Sequence, residues 1–278
     1  MVKCLKIDLS IDPKETSIII YDFIKTYIKN SGCKGVIVGL SGGIDSAVTA
    51  ILCKNILGKK NTNCVFLPDD ATQKSDIKHI DVIVKNFDLN CEKKNIDDYL
   101  KNIDSVFIKR SNNFALANVK ARLRMLIIYE YANMINNIVC GTSNKSELLI
   151  GYFTKYGDGG VDIMPIGDLY KSQVLELAKY LEIPNEIINK PPSAGLLKDQ
   201  TDEGELKISY KNLDLILAGL EKKIDLLKIS KIVKVKISDI QRIKNMRIKS
   251  QHKRRSPLIL KLGLRTPGLD WRSPIQLG

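Results

Sequence analysis

The stretch GVIVGLSGGIDSAVTAILCKNIL, residues 35–57, decides the fold. Gly35 to Leu40 is a short, unbroken apolar run rich in β-branched residues, the pattern of a strand buried on both faces. Ile44 to Leu57 predicts a helix, and Gly58 marks its end. Between the two, Ser41-Gly42-Gly43 forms a turn whose glycines allow backbone angles closed to other residues and let a large anion approach. A helix starting at Ile44 offers such an anion its unpaired N–H groups and its positive end. Ser41 and Ser46 add hydroxyl donors. Asp45 would repel a phosphate unless it holds a cation such as Mg2+, which bridges to phosphate oxygens. The same letters also fit a plain strand-to-helix turn in which Ser or Asp caps the helix. Neither a G-x-x-x-x-G-K-[ST] loop nor a G-x-G-x-x-G fingerprint fits this turn.

Outward from this unit the alternation recurs. Asp12-Pro13 opens a helix over 14–29, Cys64 to Leu67 reads as a strand closed by Pro68, 73–86 as a helix and 90–94 as a strand. Residues 114–134 predict a long helix with Val119, Leu123, Leu126, Ile127 and Tyr131 near one stripe, followed by a buried strand at Asn137 to Cys140. This rhythm predicts an α/β fold with a doubly wound, mostly parallel sheet flanked by helices. Ligands of such sheets sit at the carboxyl ends of strands, where both 39–46 and 141–147 fall. Residues 151–168, rich in Gly and Asp, read as an ordered loop. Helices at 171–181, 209–220, 222–230 and 236–250 then predict a helical C-terminal part.

The 278 residues suit one domain spanning 1–278, with 254–278 as an extended tail. Apolar runs such as Ile18-Ile19-Ile20 fall far short of the roughly 20 residues a membrane span needs. The N-terminus MVKCLKIDLS has no signal-peptide core, so the cytoplasm is the expected location. Six cysteines, at 4, 33, 53, 64, 91 and 140, form no C-x-x-C pair, and read as reduced core thiols rather than a zinc site. Net charge is +13, and Lys222 to Arg255 carries 13 Lys/Arg against two Asp, a net of +11. Such a stripe fits either an anionic partner or a solvated helix face.

Further motifs narrow the reading. Residues 118–125 read NVKARLRM, 141–162 GTSNKSELLIGYFTKYGDGGVD, 165–174 PIGDLYKSQV and 191–210 PPSAGLLKDQTDEGELKISY, and His252-Lys253-Arg254 closes the last expected helix. The SGGIDS loop resembles the pyrophosphate loop of the N-type ATP pyrophosphatases. The motifs, in this order, resemble NAD synthetase, of the ammonia-dependent kind, across essentially the whole chain. The resemblance implies a Rossmann-like fold of the adenine nucleotide alpha hydrolase type. It implies a ligase that uses ATP with Mg2+ to adenylate the nicotinate carboxylate of deamido-NAD. Ammonia then releases NAD and AMP.

Residue by residue, the resemblance implies ATP contacts from Gly39, Leu40, Ser41, Gly42, Gly43, Ile44, Asp45 and Ser46, and from Thr142, Lys171 and Ser193. It gives Asp45 and Glu147 to Mg2+, catalytic roles to Asp45 and Lys171, and deamido-NAD contacts to Arg122, Lys155, Asp162, His252 and Lys253. Blander readings stay open: Thr142 as an N-cap, Glu147 as a helix-start acid, Lys171 as a solvated lysine, Arg122 in a surface ion pair, His252 at a solvated helix end. Gly157, Gly159 and Gly160 are read as shaping backbone, and 191–205 as a lid.

A homodimer is expected, with the helices carrying Tyr27, Ile28, Ile127 and Tyr131 as contact candidates. Some family members carry an N-terminal glutaminase domain of nitrilase type. Here the loop begins at residue 41, so free ammonia, or ammonia from a partner chain, is the expected nitrogen source. No membrane or nucleic-acid partner is expected. A tRNA-modifying pyrophosphatase would suit the basic stripe but lacks the cysteine placement of the thiolating enzymes. A sensor that keeps the loop without turnover is disfavoured by the presence of both Asp45 and Lys171.

Overall fold

Strand β1 (Gly35–Leu40) lies inside a parallel sheet of order β3-β2-β1-β4, in which β2 is Thr62–Phe66, β3 Asn90–Lys93 and β4 Asn137–Cys140. The computed structural model describes residues 6–103, 112–193, 195 and 201–267. Val36 pairs with Thr62 on one side and with Ile138 on the other. Val36, Ile37 and Val38 are fully buried, as a strand without a polar face requires. The four strands are all parallel, a firmer result than the mostly parallel sheet expected. Because the winding runs outward from β1 to β2 in one direction and to β4 in the other, a crevice opens at the carboxyl ends of β1 and β4.

Helices cover both faces. On one lie α1 (Pro13–Ser31), α2 (Ile44–Leu57) and α7 (Lys171–Tyr180), packed through Ile24, Leu52, Val174 and Leu177. On the other, α5 (Asn113–Ile135) sets Leu123 and Ala132 against Ile37, Val65 and Val139. α3 (Lys74–Asn86) and α4 (Asp97–Ile103) flank β3 in the chain. The helical C-terminal part gathers α6 (Lys145–Ile150), α10 (Tyr210–Glu221), α11 (Leu226–Val233) and α12 (Ile237–Lys249) around Leu213, Ile216, Ile229, Ile240 and Ile243.

Element ends follow their caps. Asp12 accepts from the backbone N–H of Lys14 and Glu15 at 2.9 and 3.0 Å, and Gly32 ends α1 in the left-handed region. α11 starts at Leu226 and not 222, because Asp225 caps it by accepting from Leu227 N at 3.0 Å. The short helices α4, α8 (Asn185–Ile188) and α9 (Asp202–Leu206) carry no periodic signal, since so few turns show no repeat, while α6 answers the helix start left open at Thr142 to Glu147.

Three expectations need correction. Leu126 leaves the apolar stripe of α5 and is 62% exposed. Ile28 belongs to the core, so it presents no surface to a second subunit; the exposed apolar side chains are Ile18, Ile19 and Phe23 on α1 and Phe114, Leu126 and Met134 on α5. Cys53, Cys64 and Cys140 are buried as read, but Cys33 and Cys91 are only half-buried. Cys4, residues 268–278 of the tail, and 194 and 196–200 of the expected lid lie outside the described residues. From 254 to 267 the tail holds no helix or strand. Among the described residues no helix is long and apolar enough to cross a membrane.

Candidate active site

The loop after β1 owes its shape to one glycine. Gly42 takes φ 78°, and a Cβ there would lie 2.8 Å from the Cα of Asp76 on α3. Ser46 Oγ accepts from Ser41 N at 3.2 Å and donates to Gly43 O at 3.0 Å, drawing the loop closed. No side chain caps α2 at Gly43, so its first N–H groups are left for a ligand. The capping alternative for this turn is therefore not what the side chains do.

Beside the loop, three chain segments bring together one cation and two carboxylates. Asp45, in the first turn of α2, forms an ion pair with Lys171 and accepts from Asn144 Nδ2 at 3.0 Å. Lys171 opens α7 and is 3% exposed, so it is not a solvated lysine. Its Nζ lies 3.7 Å from Glu147 Oε1 and 5.3 Å from the centre of the Tyr210 ring. Burial alone would lower the pKa of this ammonium, but Asp45 and Glu147 outweigh it and hold it above its ordinary value. Burial first, then the charge of Asp45, pushes the Glu147 carboxyl up to about 8 against the pull of Lys171.

Glu147 also serves local structure. It completes a capping box with Asn144, which accepts from Glu147 N at 3.1 Å. Asn144, and not Thr142, is the N-cap of α6, which leaves the Thr142 hydroxyl free of that duty. A buried relay fixes the start of α7: Lys171 N donates to Ser146 Oγ at 3.0 Å, Ser146 Oγ to Asp214 at 2.5 Å, and Ser172 N to Asp214 at 2.8 Å. Burial raises the Asp214 carboxyl against the pull of these donors.

The loop and the cluster line a cavity of about 740 Å3 at the switch point, within the 300–1,000 Å3 or so usual for small-molecule sites. Of the residues read from the sequence, Gly39, Leu40, Ser41, Gly43, Ile44, Asp45, Ser46, Thr142, Glu147, Lys171, Ser193 and Lys253 face it. Gly42 shapes it from behind. Lys253 Nζ donates to Gly151 O and Phe153 O, both at 2.7 Å, and burial lowers its pKa.

Arg122, Lys155, Asp162 and His252 are not brought into that wall. Arg122 is exposed and reaches Lys155 O at 3.3 Å through Nη2, a hydrogen bond rather than the ion pair considered for it. Asp162 accepts from Tyr129 Oη at 2.9 Å and from Val139 N at 2.7 Å. His252 is exposed.

Sequence reasoning missed several contributors. Asp202 is 4% exposed, accepts from Tyr210 Oη at 3.0 Å, and leaves Oδ1 without a partner at the cavity wall. Lys190 also lines the cavity and forms an ion pair with Asp76 behind Gly42. Only Asn144-x-x-Glu147 carried a local signal, that of a capping box.

A parallel sheet, an uncapped glycine loop after β1 and an acid–lysine cluster at the switch point define a nucleotide-binding protein of the adenine nucleotide alpha hydrolase type. More narrowly, the chain belongs to the NAD synthase family, whose model matches residues 18–257. The NH(3)-dependent NAD(+) synthetase of Sulfolobus acidocaldarius is 43% identical over 256 residues, 91% of each chain. Among solved structures, an NMN synthetase from Francisella tularensis superposes with a TM-score of 0.81 at 33% identity, covering 91% of this chain and all of that one. An NH3-dependent NAD synthetase from Campylobacter jejuni gives a TM-score of 0.77 at 33% identity with the same coverage.

Proposed function

We propose that this chain is an ammonia-dependent NAD(+) synthetase, joining ammonia to the nicotinate carboxylate of deamido-NAD while ATP is split to AMP and pyrophosphate. The observation that carries the reading is the placement of Lys171, buried between Asp45 and Glu147 beside the uncapped end of α2. A buried cation next to free N–H groups suits a triphosphate whose negative charge moves toward the leaving pyrophosphate.

In this account the loop Gly39 to Ser46 receives the β- and γ-phosphates at the free N–H groups that begin α2, and Ser41 and Ser46 orient the loop. Thr142 and Ser193 contact the remainder of ATP. The carboxylate of deamido-NAD attacks the α-phosphorus, pyrophosphate leaves, and Lys171 Nζ offsets the charge gathering on the departing oxygens. Ammonia then attacks the acyl carbon, and AMP leaves with the former carboxylate oxygen. The apolar cavity wall keeps water from the acyl-adenylate.

Asp45 and Glu147 fit a divalent cation such as Mg2+: both carboxylates converge on Lys171 Nζ, and burial with the charge of Asp45 raises the Glu147 carboxyl to about 8, a strain that a cation would relieve. Such an ion would supply positive charge to the phosphate oxygens. For deamido-NAD, Lys253 lies in the cavity, while Arg122, Lys155, Asp162 and His252 act from its margin. A homodimer is part of this reading, supported by the exposed apolar residues of α1 and α5.

A second substrate has one observation in its favour, the superposition on an NMN synthetase, which points to nicotinate mononucleotide. Purified protein with ATP, Mg2+ and ammonium should turn over deamido-NAD with the higher kcat/KM. Preference for the mononucleotide would move the reading to that substrate. Equal rates with glutamine in place of ammonium would sink the ammonia-dependent reading.

A further inference from the structure

Of the basic stripe at 222–255 only Lys253 lines the cavity. What the stripe does form is a pair of helices at the far side of the C-terminal part. α11 and α12 are joined by three residues, Lys234, Val235 and Lys236, of which Lys234 takes the left-handed region at φ 60°. Such a turn suits glycine, and here a lysine accepts the strain. Ser230 Oγ donates to Val235 O at 2.6 Å and closes the turn. Ile229 and Val233 of α11 and Ile240 and Ile243 of α12 are buried, with α10 packed behind them. A turn of three residues between two packed helices has the connection length of a helix-turn-helix.

The outward face of α12 is polar and cationic. Ser238, Gln241, Asn245 and Lys249 are exposed at spacings of three and four, so they form one stripe opposite Ile240 and Ile243. Gln241 Nε2 donates to Asn245 Oδ1 at 3.1 Å. Arg242, half-buried beside them, lays its guanidinium inward, with Nη1 donating to Met246 Sδ at 3.7 Å and Nη2 shielded from solvent. Exposed Lys228, Lys231, Lys234 and Lys236 flank the stripe, and Asp239 is the one acid on α12. Across 222–255 the net charge is +11.

We infer that α11 and α12 form a docking surface for double-stranded DNA, with α12 entering the major groove. A helix about 10–12 Å across matches a groove about 12 Å wide. Gln241 and Asn245 have the amide geometry that pairs with adenine. The flanking lysines meet phosphates on either side. The sequence reading expected no nucleic-acid partner, and the proposed amidation needs none. This binding is a separate property of the chain and does not rest on the proposed reaction.

The test uses the full chain and a labelled DNA duplex of about 24 base pairs, with affinity read by fluorescence anisotropy across a salt series from about 50 mM KCl. Binding is expected in the low micromolar range or tighter at the lowest salt, weakening linearly on logarithmic axes. Charge reversal at Lys228→Glu, Lys231→Glu, Lys236→Glu and Lys249→Glu together should weaken binding at least tenfold or so and flatten the salt slope by about 2–4. Its unfolding midpoint and ATP-dependent turnover should stay as in the parent. In a second variant, Gln241→Ala with Asn245→Ala, the phosphate-driven affinity should persist while the preference among duplexes selected from a random pool is lost. A dissociation constant above about 100 µM at low salt, or less than a twofold effect of the charge reversal, overturns the inference. So does equal competition by double-stranded RNA, whose deep, narrow major groove admits no helix.

Discussion

Replacing Lys171 with Met keeps the length of the side chain and removes its charge. At 3.7 Å the attraction to Glu147 amounts to roughly 4 kcal/mol at an effective dielectric of about 20 when that carboxyl is ionised, and to little at neutral pH, where a carboxyl at about 8 is mostly protonated. Asp45 lies closer still. Desolvation of the buried lysine offsets part of this, but the variant keeps both carboxylates and loses the cation between them. Breaking a buried pair in this way costs about 3–5 kcal/mol. Glu147 limits the loss, because its carboxyl, at about 8, already holds a proton at neutral pH and leaves Asp45 as the one carboxylate stripped of its cation. The expected destabilisation is therefore about 3 kcal/mol at neutral pH, read as a shift in urea midpoint at unchanged slope. Turnover should fall more steeply, by about 10²–10³ in kcat, since the charge opposing the leaving pyrophosphate is absent. A variant that loses less than about 1 kcal/mol and keeps kcat within about tenfold of the parent would refute the reasoning.

Further perturbations probe the parts around this cluster. Gly42→Ala puts a side chain at a left-handed position against the backbone of Asp76, so it should cost about 1–2 kcal/mol and raise KM for ATP well above its effect on KM for deamido-NAD. Asp214→Ala unties the start of α7 and should destabilise the chain by about 1–3 kcal/mol, while kcat falls because Lys171 moves. Asp69, buried between Lys120 at 2.8 Å and Arg124 at 3.3 Å, gives a pH test. Burial would raise its carboxyl, but those cations hold it below the ordinary 3.8. Its contribution is thus fully present above that value and is lost as pH falls through the lowered one. Asp69→Asn should cost about 3–5 kcal/mol at pH 7, and the gap to the parent should close in unfolding measured on the acid side of 3.8. Removing divalent cations with a chelator should abolish AMP formation, and added Mg2+ should restore it.

The fold was legible where the chain is least ambiguous. Gly35 to Leu40 has no polar face and Ile44 to Leu57 has a glycine at each end, so strand, turn and helix followed from local chemistry. Short elements such as α6 and α9 were not readable by period, because one or two turns leave no repeat. The same locality sorts the site. Ser41 to Ser46 is a single segment, and its backbone does what the glycines suggested. Asp202, Asp214 and Tyr210 join it only through folding, across 68 residues in the case of Asp214 and Ser146. Asp202 and Tyr210 fall inside the 191–210 motif, but no local pattern there gives either a role, and nothing near Asp214 marks it. Arg122, Lys155, Asp162 and His252 came from resemblance alone, and one chain does not gather them into the cavity wall. Leu126 and Ile28 show the limit of helical stripes, since a position one turn from a buried residue can face either core or solvent.

The central claim is that the carboxylate of deamido-NAD attacks ATP before ammonia enters. It is tested most directly with deamido-NAD labelled with heavy oxygen in that carboxylate, turned over with ATP, Mg2+ and ammonium. The account predicts one heavy oxygen in the phosphate of AMP, none in pyrophosphate, and the other retained in the amide of NAD. AMP free of label, with ATP consumed and NAD formed, would contradict it.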